Sequence, residues 1–387
     1  MKMTQSLVVL RAFGNDLSKI QTDTYLPQIL QRMDERTPLM RLFTINTADE
    51  SKQRGEVITV KKPQYIEGVR HQTTAPSVPD DLEVETVDLR LTEHIYLEAQ
   101  VSDREQAGTI PGFIPDSILA MADAMGRDVN QKCMNLQKQV ARASGIIDSV
   151  NERSKYDMIL GRQTCNKMKI WDNKNLVLSN DTSGELIKVF TAGSDAKSET
   201  EGNLGRKYGF DTYEDNVVGI HEAGTASQDL SLVLAVDSSV GATLLIVKGA
   251  TPGATFNEGD FITVAGVSQT FAVKSAVDAD GTGNASVYVT EPVSRLIKAG
   301  SSLKVAGDHR QDMAFHTSAF TIGFRLLEPV NNPGNATIST MTHPETGMPV
   351  RMTSWWNPST FMTHYKLDCL YGVVATAPER ALRFGGH

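Results

Sequence analysis

The feature that most constrains the fold is a block of short strand patterns between residues 218 and 312. Runs such as ATLLIVKG, GDFITVAG and NASVYVT follow one another at about 10 to 14 residues, separated by turns rich in Gly, Asp and Asn. This spacing is typical of a small antiparallel barrel or sandwich. Helical patterns occur on both sides of the block and are nearly absent within it. We therefore predict an inserted domain whose two ends lie close together.

A long amphipathic helix is predicted ahead of this block. It begins after Pro115-Asp116-Ser117, and Gly145 stands where a C-terminal left-handed cap belongs. At about 1.5 Å per residue it would be roughly 40 Å long. Its apolar stripe recurs at three- and four-residue steps and consists of Ile118, Met121, Met125, Val129, Cys133, Leu136 and Val140. The next segment is predicted as a helix at Tyr156 to Met168, a strand at Asn175 to Leu178 and a helix from about Ser183 to Ala192.

The first hundred residues change from helical to strand periodicity. Residues 17–37 have a roughly helical apolar spacing, broken near Pro27, which indicates a short amphipathic N-terminal arm. The runs EVITVKK and LEVETVDLRLTEHIYLEAQV alternate with period two and predict a long antiparallel hairpin. Its polar connection of roughly 20 residues exceeds the usual two to five, and connections of that length are often functional.

Composition excludes several classes of protein. The chain has 387 residues, 40% of them hydrophobic, as in ordinary globular proteins. Its 46 acidic and 38 basic residues give a net charge of −8, unlike the basic footprint of a dedicated nucleic-acid reader. Any contact with DNA is therefore expected to be local or non-specific. No window approaches the roughly 20 apolar residues of a membrane span, and the N-terminus lacks a signal-peptide core. We expect the chain to be cytoplasmic where it is made.

Residues able to carry chemistry are few and scattered. The sequence has no GxSxG elbow, Walker A loop, GxGxxG after a strand or HExxH motif. Cys133, Cys165 and Cys369 form no CxxC pair, which favours a reducing compartment, and Cys165 is interpreted as a buried structural cysteine. His309 and His316 are a weak candidate metal pair, and solvated junction residues are the favoured interpretation. We therefore expect no enzyme activity, no cofactor and no metal.

The segment from Asp278 to Asn284 places carboxylates at alternate positions before a glycine. This superficially resembles a calcium loop, but the twelfth-position glutamate and flanking helices are missing. A hairpin turn explains the same residues better. For Trp355 and Trp356, packing in the core of the flanking domain is favoured over an exposed role.

The hairpin connection holds the candidate contact residues. Lys61, Lys62, Arg70 and His71 surround Tyr65, and an acidic stretch containing Asp80, Asp81, Glu83 and Glu85 follows. A solvated loop and a docking element for another protein explain this pattern equally well.

The order of these elements resembles the major capsid (coat) proteins of tailed bacteriophages, and among them the short-tailed P-twenty-two type. The resemblance covers essentially the whole chain. Its most specific stretches are YGFDTYEDNVV at 208–218, GDFITVAGV at 259–267, AFTIGFRLLEPV at 319–330 and LYGVVATAPERALRF at 370–384.

The resemblance implies an α+β, HK-ninety-seven-like capsid fold. It implies that the insertion aids folding and stabilises contacts between capsomers. The implied parts are an N-terminal arm (1–37), an extended loop with peripheral-domain strands (38–111), a peripheral domain with the spine helix (112–155), a first axial part (156–217), the inserted β-barrel (218–312) and the axial return with C-terminal peripheral strands (313–387).

The resemblance also implies the partners. The chain would assemble with itself, as pentamers and hexamers, into an icosahedral shell around double-stranded DNA, which it contacts non-specifically. Scaffolding and portal proteins are expected partners, membranes are not, and the location is the virion after assembly in the host cytoplasm. Intersubunit contacts are expected at Lys61, Lys62, Tyr65 and Arg70.

Two other classes of function stay open on the residues alone. A soluble two-domain enzyme would need a nucleophile, base and orienting residue, or a metal site. A carbohydrate- or cell-surface-binding module carried by the β block would need aromatic residues in its loops, whereas Phe256, Phe261, Phe271 and Tyr288 lie mostly within predicted strands. The capsid interpretation is favoured over both.

Overall fold

The computed structural model describes residues 26–46, 57–63, 84–104, 116–147, 152–191, 204–327 and 334–386. The chain mixes helices and strands and divides into two compact units. The first unit holds residues 1–61, 85–133 and 321–374, and the second holds 62–84, 134–320 and 375–387. None of the helices in these described residues is long and apolar enough to cross a bilayer.

The elements are numbered in chain order. The helices are α1 (26–35), α2 (Asp116–Asn135), α3 (Lys155–Lys167) and α4 (Asn180–Thr191). The first strands are β1 Thr44–Asn46, β2 Val57–Lys61, β3 Thr86–Arg90, β4 Glu93–Ser102, β5 Lys174–Leu178, β6 Arg206–Lys207 and β7 Phe210–Glu214. The next are β8 Ile220–His221, β9 Val233–Leu234, β10 Leu244–Lys248, β11 Thr255–Phe256, β12 Phe261–Val264, β13 Thr270–Ala272, β14 Val277–Asp278, β15 Asn284–Tyr288, β16 Leu303–Val305 and β17 His309–Arg310. The last are β18 Met313–His316, β19 Phe320–Arg325, β20 Thr337–Thr342, β21 Pro349–Asn357, β22 Met362–Ala375 and β23 Ala381–Arg383.

The main sheet of the first unit is organised by β22, which is 14 residues long. The strand order is β1, β19, β22, β21, β20, and β4 also pairs with β22. Met352 of β21 and Leu367 of β22 lie directly opposite each other and are fully buried, so this part of the sheet has one covered face. Strands β20 and β21 were not predicted from the sequence.

The predicted hairpin is confirmed, with a different second arm. β2 pairs antiparallel with β3, from Val57 opposite Arg90 to Lys61 opposite Thr86. The second predicted run then divides, and β4 pairs with β22 instead. The run divides after Arg90, where its backbone passes very close to that of Gly372. A Cβ atom on Gly372 would lie 2.1 Å from the carbonyl oxygen of Arg90. Glycine is therefore required at this crossing.

Helix α2 is confirmed at its start and is shorter than predicted. It ends at Asn135, a single 3₁₀ turn follows, and Val140 is already extended. Its 20 residues span about 30 Å, and Gly145 does not cap it. The predicted stripe is buried, including Met125 and Val129.

Helix α1 contains the described part of the predicted N-terminal arm. It buries Leu26, Ile29 and Met33, and Arg36 donates from Nε to Asp123 of α2 over 3.0 Å. Residues 26–35 therefore pack on their own chain and do not extend away from it. The rest of the predicted arm lies outside the described residues.

The second unit contains a five-stranded sheet in the order β23, β18, β5, β7, β6. β5 is buried along its whole length, and α4 connects it to the parallel β7. Helix α3 begins at a capping box, in which Ser154 N–H donates to the Asp157 carboxylate over 2.6 Å. These two helices and β5 confirm the predicted elements to within about three residues.

The β block between residues 220 and 310 consists of short antiparallel sheets: β9 with β10 and β15, β11 with β14, and β12 with β13 and β16. They enclose a common apolar core drawn from residues 226–305. The chain enters and leaves through the two-residue ribbon of β8 and β17, where His221 lies opposite His309. The predicted strands are thus confirmed, and the predicted turn holds Asp280 as acceptor for the N–H groups of Thr282 and Asn284.

Candidate functional site

The predicted contact residues belong to the connection between β2 and β3, and the paired part of this hairpin, its root, is firmly packed. Ile58, Leu89 and Leu91 are buried in a small apolar cluster, against which Val60 and Val374 pack. The root is therefore held by apolar burial.

The four predicted contact residues are placed only in part. Lys61 is the last residue of β2 and is exposed, whereas Lys62 is half-buried. Tyr65 and Arg70 lie outside the described residues, so a cluster of the four stays a prediction. Glu85, at the acidic end of the connection, is exposed just before β3.

The open face of the main sheet carries a network that the sequence did not indicate. The Trp355 ring stacks on His364 at 4.9 Å with an interplanar angle of 10°. His364 shares a 2.7 Å hydrogen bond between Nδ1 and Glu98, and its Nε2 atom is buried with no hydrogen-bond partner among the described residues. Lys366 lies 4.6 Å from the centroid of the Tyr96 ring, which is 60% exposed. Charged and aromatic groups are therefore held in fixed positions at a solvent-facing surface.

Trp356 points to the other side of β21, so the prediction that both tryptophans pack in the core is wrong. It is 42% exposed and donates from Nε1 to Asp103 over 3.1 Å, and the Phe361 ring lies edge-on to it. Phe361 is 64% exposed at a φ of 53°, in the turn between β21 and β22. Such a conformation is uncommon for an aromatic residue. This end of the sheet thus presents large apolar side chains to solvent.

A second polar cluster is buried where the β block begins and ends. The carboxylate of Asp260 lies 2.9 Å from Nε2 of His221 and accepts from the N–H of Gly224. His309 is fully buried, so the expectation of a solvated junction residue is wrong. Burial, followed by the adjacent Arg383 charge, lowers the pKa of His309 to about 3. The imidazole is therefore neutral, and this cluster is a structural one.

The described residues contain no group of three or more side chains suited to holding a metal ion. Cys165 is buried, and burial raises the pKa of its thiol to about 12. A thiol of that kind is not a nucleophile near neutral pH. A cleft of about 340 Å³ in the second unit brings Glu291 near Arg142, with 3.5 Å between the carboxylate and Nε. Burial raises the pKa of Glu291.

Comparison with known proteins finds similarity in the course of the backbone and no match in sequence. No family model and no curated protein matches the sequence. A structure of Mycobacterium phage Che8 is similar at 12% identity and a TM-score of 0.48, covering 91% of this chain and 92% of that one. The capsid structure of the Cyanophage P-SCSP1u is similar at 10% identity and a TM-score of 0.46, covering 89% and 86%. The capsid of a native GTA particle is similar at 9% identity and a TM-score of 0.46, covering 90% of each chain. Since all three TM-scores lie below 0.5, the proposals below rest on the chain's own residues.

Proposed function

We propose that the chain is a major capsid protein, which assembles with copies of itself into the icosahedral shell around the double-stranded DNA of a tailed bacteriophage. The observation that carries the proposal is the main sheet of the first unit. Along β4 every residue is exposed or half-buried, although the strand is ten residues long and pairs with β22 along its whole length. A strand of this kind gains burial when another chain covers it.

Two further features support assembly. The connection between β2 and β3 leaves from a packed root, so a contact made by the connection would be positioned with respect to the subunit. The exposed Trp356 and Phe361 supply the aromatic side chains that protein interfaces favour. The order of elements in the sequence resembles the short-tailed P-twenty-two coat proteins. In that interpretation α2 is the spine helix, the β2–β3 connection is the extended loop and residues 218–312 are an inserted barrel.

The proposed partners follow from the same interpretation. Pentamers and hexamers of the chain would form the shell, with scaffolding and portal proteins in its assembly. The net charge of −8 suits a wall that touches packaged DNA without binding it tightly. Assembly would take place in the host cytoplasm, and the mature location would be the virion.

The test is electron microscopy of the purified chain in negative stain, alone and after co-expression with its neighbouring genes. Closed shells, tubes or isolated rings of subunits are the expected result. A chain that stays monomeric at high concentration under every one of these conditions would overturn the proposal. Many weak, repeated contacts stabilise such a shell, so assembly should be steeply dependent on concentration.

A further inference from the structure

We propose that two copies of the chain join edge to edge through β4, antiparallel, with Tyr96 of one copy directly opposite Tyr96 of the other. This proposal goes beyond the proposed function because it specifies the strand, the register and the two-fold geometry of a contact. It rests on the proposed function in one respect, namely that a shell brings many copies of the chain together.

The first observation is an open strand edge. β4 pairs with β22 along all ten residues, from Glu93 opposite Tyr371 to Ser102 opposite Met362. In the part of the chain that the structure describes, no other strand pairs with β4. One row of its backbone N–H and C=O groups therefore faces away from the sheet. Such an edge is a template for another strand.

The second observation is that β4 lacks the features that usually block edge pairing. Its sequence, EHIYLEAQVS, contains no proline and no lysine. The one-to-one register with β22 has no bulge. Proteins that keep an edge strand single commonly use short strands, lysine, proline or bulges. The edge is thus compatible with continuation of the sheet into a second chain.

The third observation selects the occupant. On one face of β4, His94, Tyr96 and Glu98 are exposed in succession. When the strand pairs antiparallel with itself about Tyr96, His94 of each copy lies opposite Glu98 of the other, and the two tyrosine rings meet. On the other face, the half-buried Ile95 of each copy lies opposite Leu97. Each position from His94 to Glu98 is then matched by a complementary one, which a strand of unrelated sequence would not provide.

Neighbouring registers are less favourable. Pairing about Glu98 places two carboxylates opposite each other, and like charges directly opposite are destabilising. Pairing about Leu97 or Ile95 removes the contact between His94 and Glu98. In the proposed register Glu98 also keeps its hydrogen bond to His364 through Oε1. Its second oxygen then accepts from the other copy's His94.

The test is disulfide cross-linking of the full chain. Tyr96→Cys places the two new thiols directly opposite, at Cα separations of about 4.5–5.5 Å, within the range that a disulfide spans. Gln100→Cys is the matched control, because it lies on the same face of the same strand. In the proposed register its two copies are about 27 Å apart, at about 3.4 Å per residue. Cys133, Cys165 and Cys369 are buried, so the native background is low.

Under mild oxidation we expect Tyr96→Cys to give at least ten times more covalent dimer than Gln100→Cys, on non-reducing gels. Equal dimer from both variants, with melting temperatures unchanged, would overturn the register. Shells that form without any Tyr96→Cys dimer would overturn the contact and leave the proposed function standing. Dimer without shells would support the contact and count against the proposed function.

A charge swap tests the register independently. In the Tyr96→Cys background, His94→Glu sets carboxylates against each other and should lower the dimer yield at least fivefold at low salt. Adding Glu98→His again sets an imidazole opposite a carboxylate, with the two positions exchanged, and should recover most of the loss. Glu98→His alone controls for the lost contact with His364. A yield that none of these changes affects would overturn the proposed pairing.

Discussion

The buried guanidinium of Arg383 donates from Nη1 to Nε2 of His309 over 2.9 Å. A guanidinium has no acceptor, so Nε2 must carry the lone pair, and the ring proton lies on Nδ1, 2.9 Å from the carbonyl oxygen of Gly307. Arg383 also donates to the carbonyl oxygen of Val140 over 2.9 Å. One side chain of β23 thereby ties the exit strand of the β block to the segment that follows α2.

Replacing this arginine should be costly. Arg383→Met keeps much of the volume but leaves the carbonyl of Val140 and Nε2 of His309 buried without their donor, and we expect a loss of about 2–4 kcal/mol in unfolding free energy. Urea unfolding followed by circular dichroism measures it. The control is Arg206→Ala, whose side chain is 73% exposed, and it should cost less than about 0.5 kcal/mol. Equal midpoints for the two variants would contradict this assignment.

His309 gives the fold a pH dependence. Its pKa falls from 6.5 in the unfolded chain to about 3 in the folded chain, because burial and Arg383 disfavour the charged ring. Between these values the unfolded chain binds a proton that the folded chain does not. Stability should therefore decrease as pH falls from 6.5 towards 3, with a slope of up to about 1.4 kcal/mol per pH unit from this group.

The measurement is the melting temperature from pH 7 to 4 for the wild type and for His309→Gln, which keeps an acceptor near Arg383. The difference between the two curves isolates the histidine from the carboxylates. A constant difference across this range would show that His309 does not titrate as described.

Helix α2 allows a test of its buried face. Met125→Asp and Val129→Asp each place an unpaired charge at a buried position and should destabilise the chain by several kcal/mol. Arg127→Ala, at an exposed position of the same helix, should change little. Thermal melts of the three variants test this assignment, and similar melting temperatures for all three would refute the assigned buried face.

The β block should fold as an isolated fragment of residues 218–312. Its core residues, from Ala226 to Val305, contact one another, and its ends are already paired by β8 and β17. We expect a monomeric, β-rich circular dichroism spectrum and cooperative melting. A fragment that is unfolded or mainly helical would mean that the rest of the chain is needed to form the block.

The basic end of the β2–β3 connection is predicted to act in docking. If the connection is solvated, changing Lys61, Lys62 and Arg70 together to glutamate should leave monomer melting almost unchanged, since charges in a solvated loop contribute little to stability. Shell yield should drop strongly, and 1 M salt, with a Debye length of about 3 Å, should partly restore it. A wild-type yield at low salt would exclude electrostatic docking. A large loss of monomer stability would instead show that the connection packs on its own subunit.

Elements with a strong local pattern were predictable from the sequence. The stripe through Met125 and Val129 has the helical period, and the runs that became β10 and β12 alternate between turn residues. β20, with the sequence TISTMT, was missed because its residues are half-buried or exposed on both faces, and its sequence has no clear alternation. Its position comes from pairing with β21 and not from its own composition.

The polar contacts were not predictable, because their partners are distant in sequence. Trp355 meets His364 only through the register of β21 with β22. Arg383 reaches His309 across 74 positions and Val140 across 243. An isolated arginine in a strand pattern gives no sign that it will be buried. The hairpin root was predicted, whereas the placement of Tyr65 and Arg70 stays a prediction.

The ribbon of β8 and β17 has a kinetic consequence. β5 must find β18 to complete its sheet, and about 135 residues of chain separate them. If the β block folds first, its joined ends shorten that connection to about 45 residues, which lowers the entropy cost of closing the loop by roughly 1 kcal/mol. Early folding of the β block would then speed the pairing of β5 with β18, and slowing the folding of the block should delay the appearance of the five-stranded sheet.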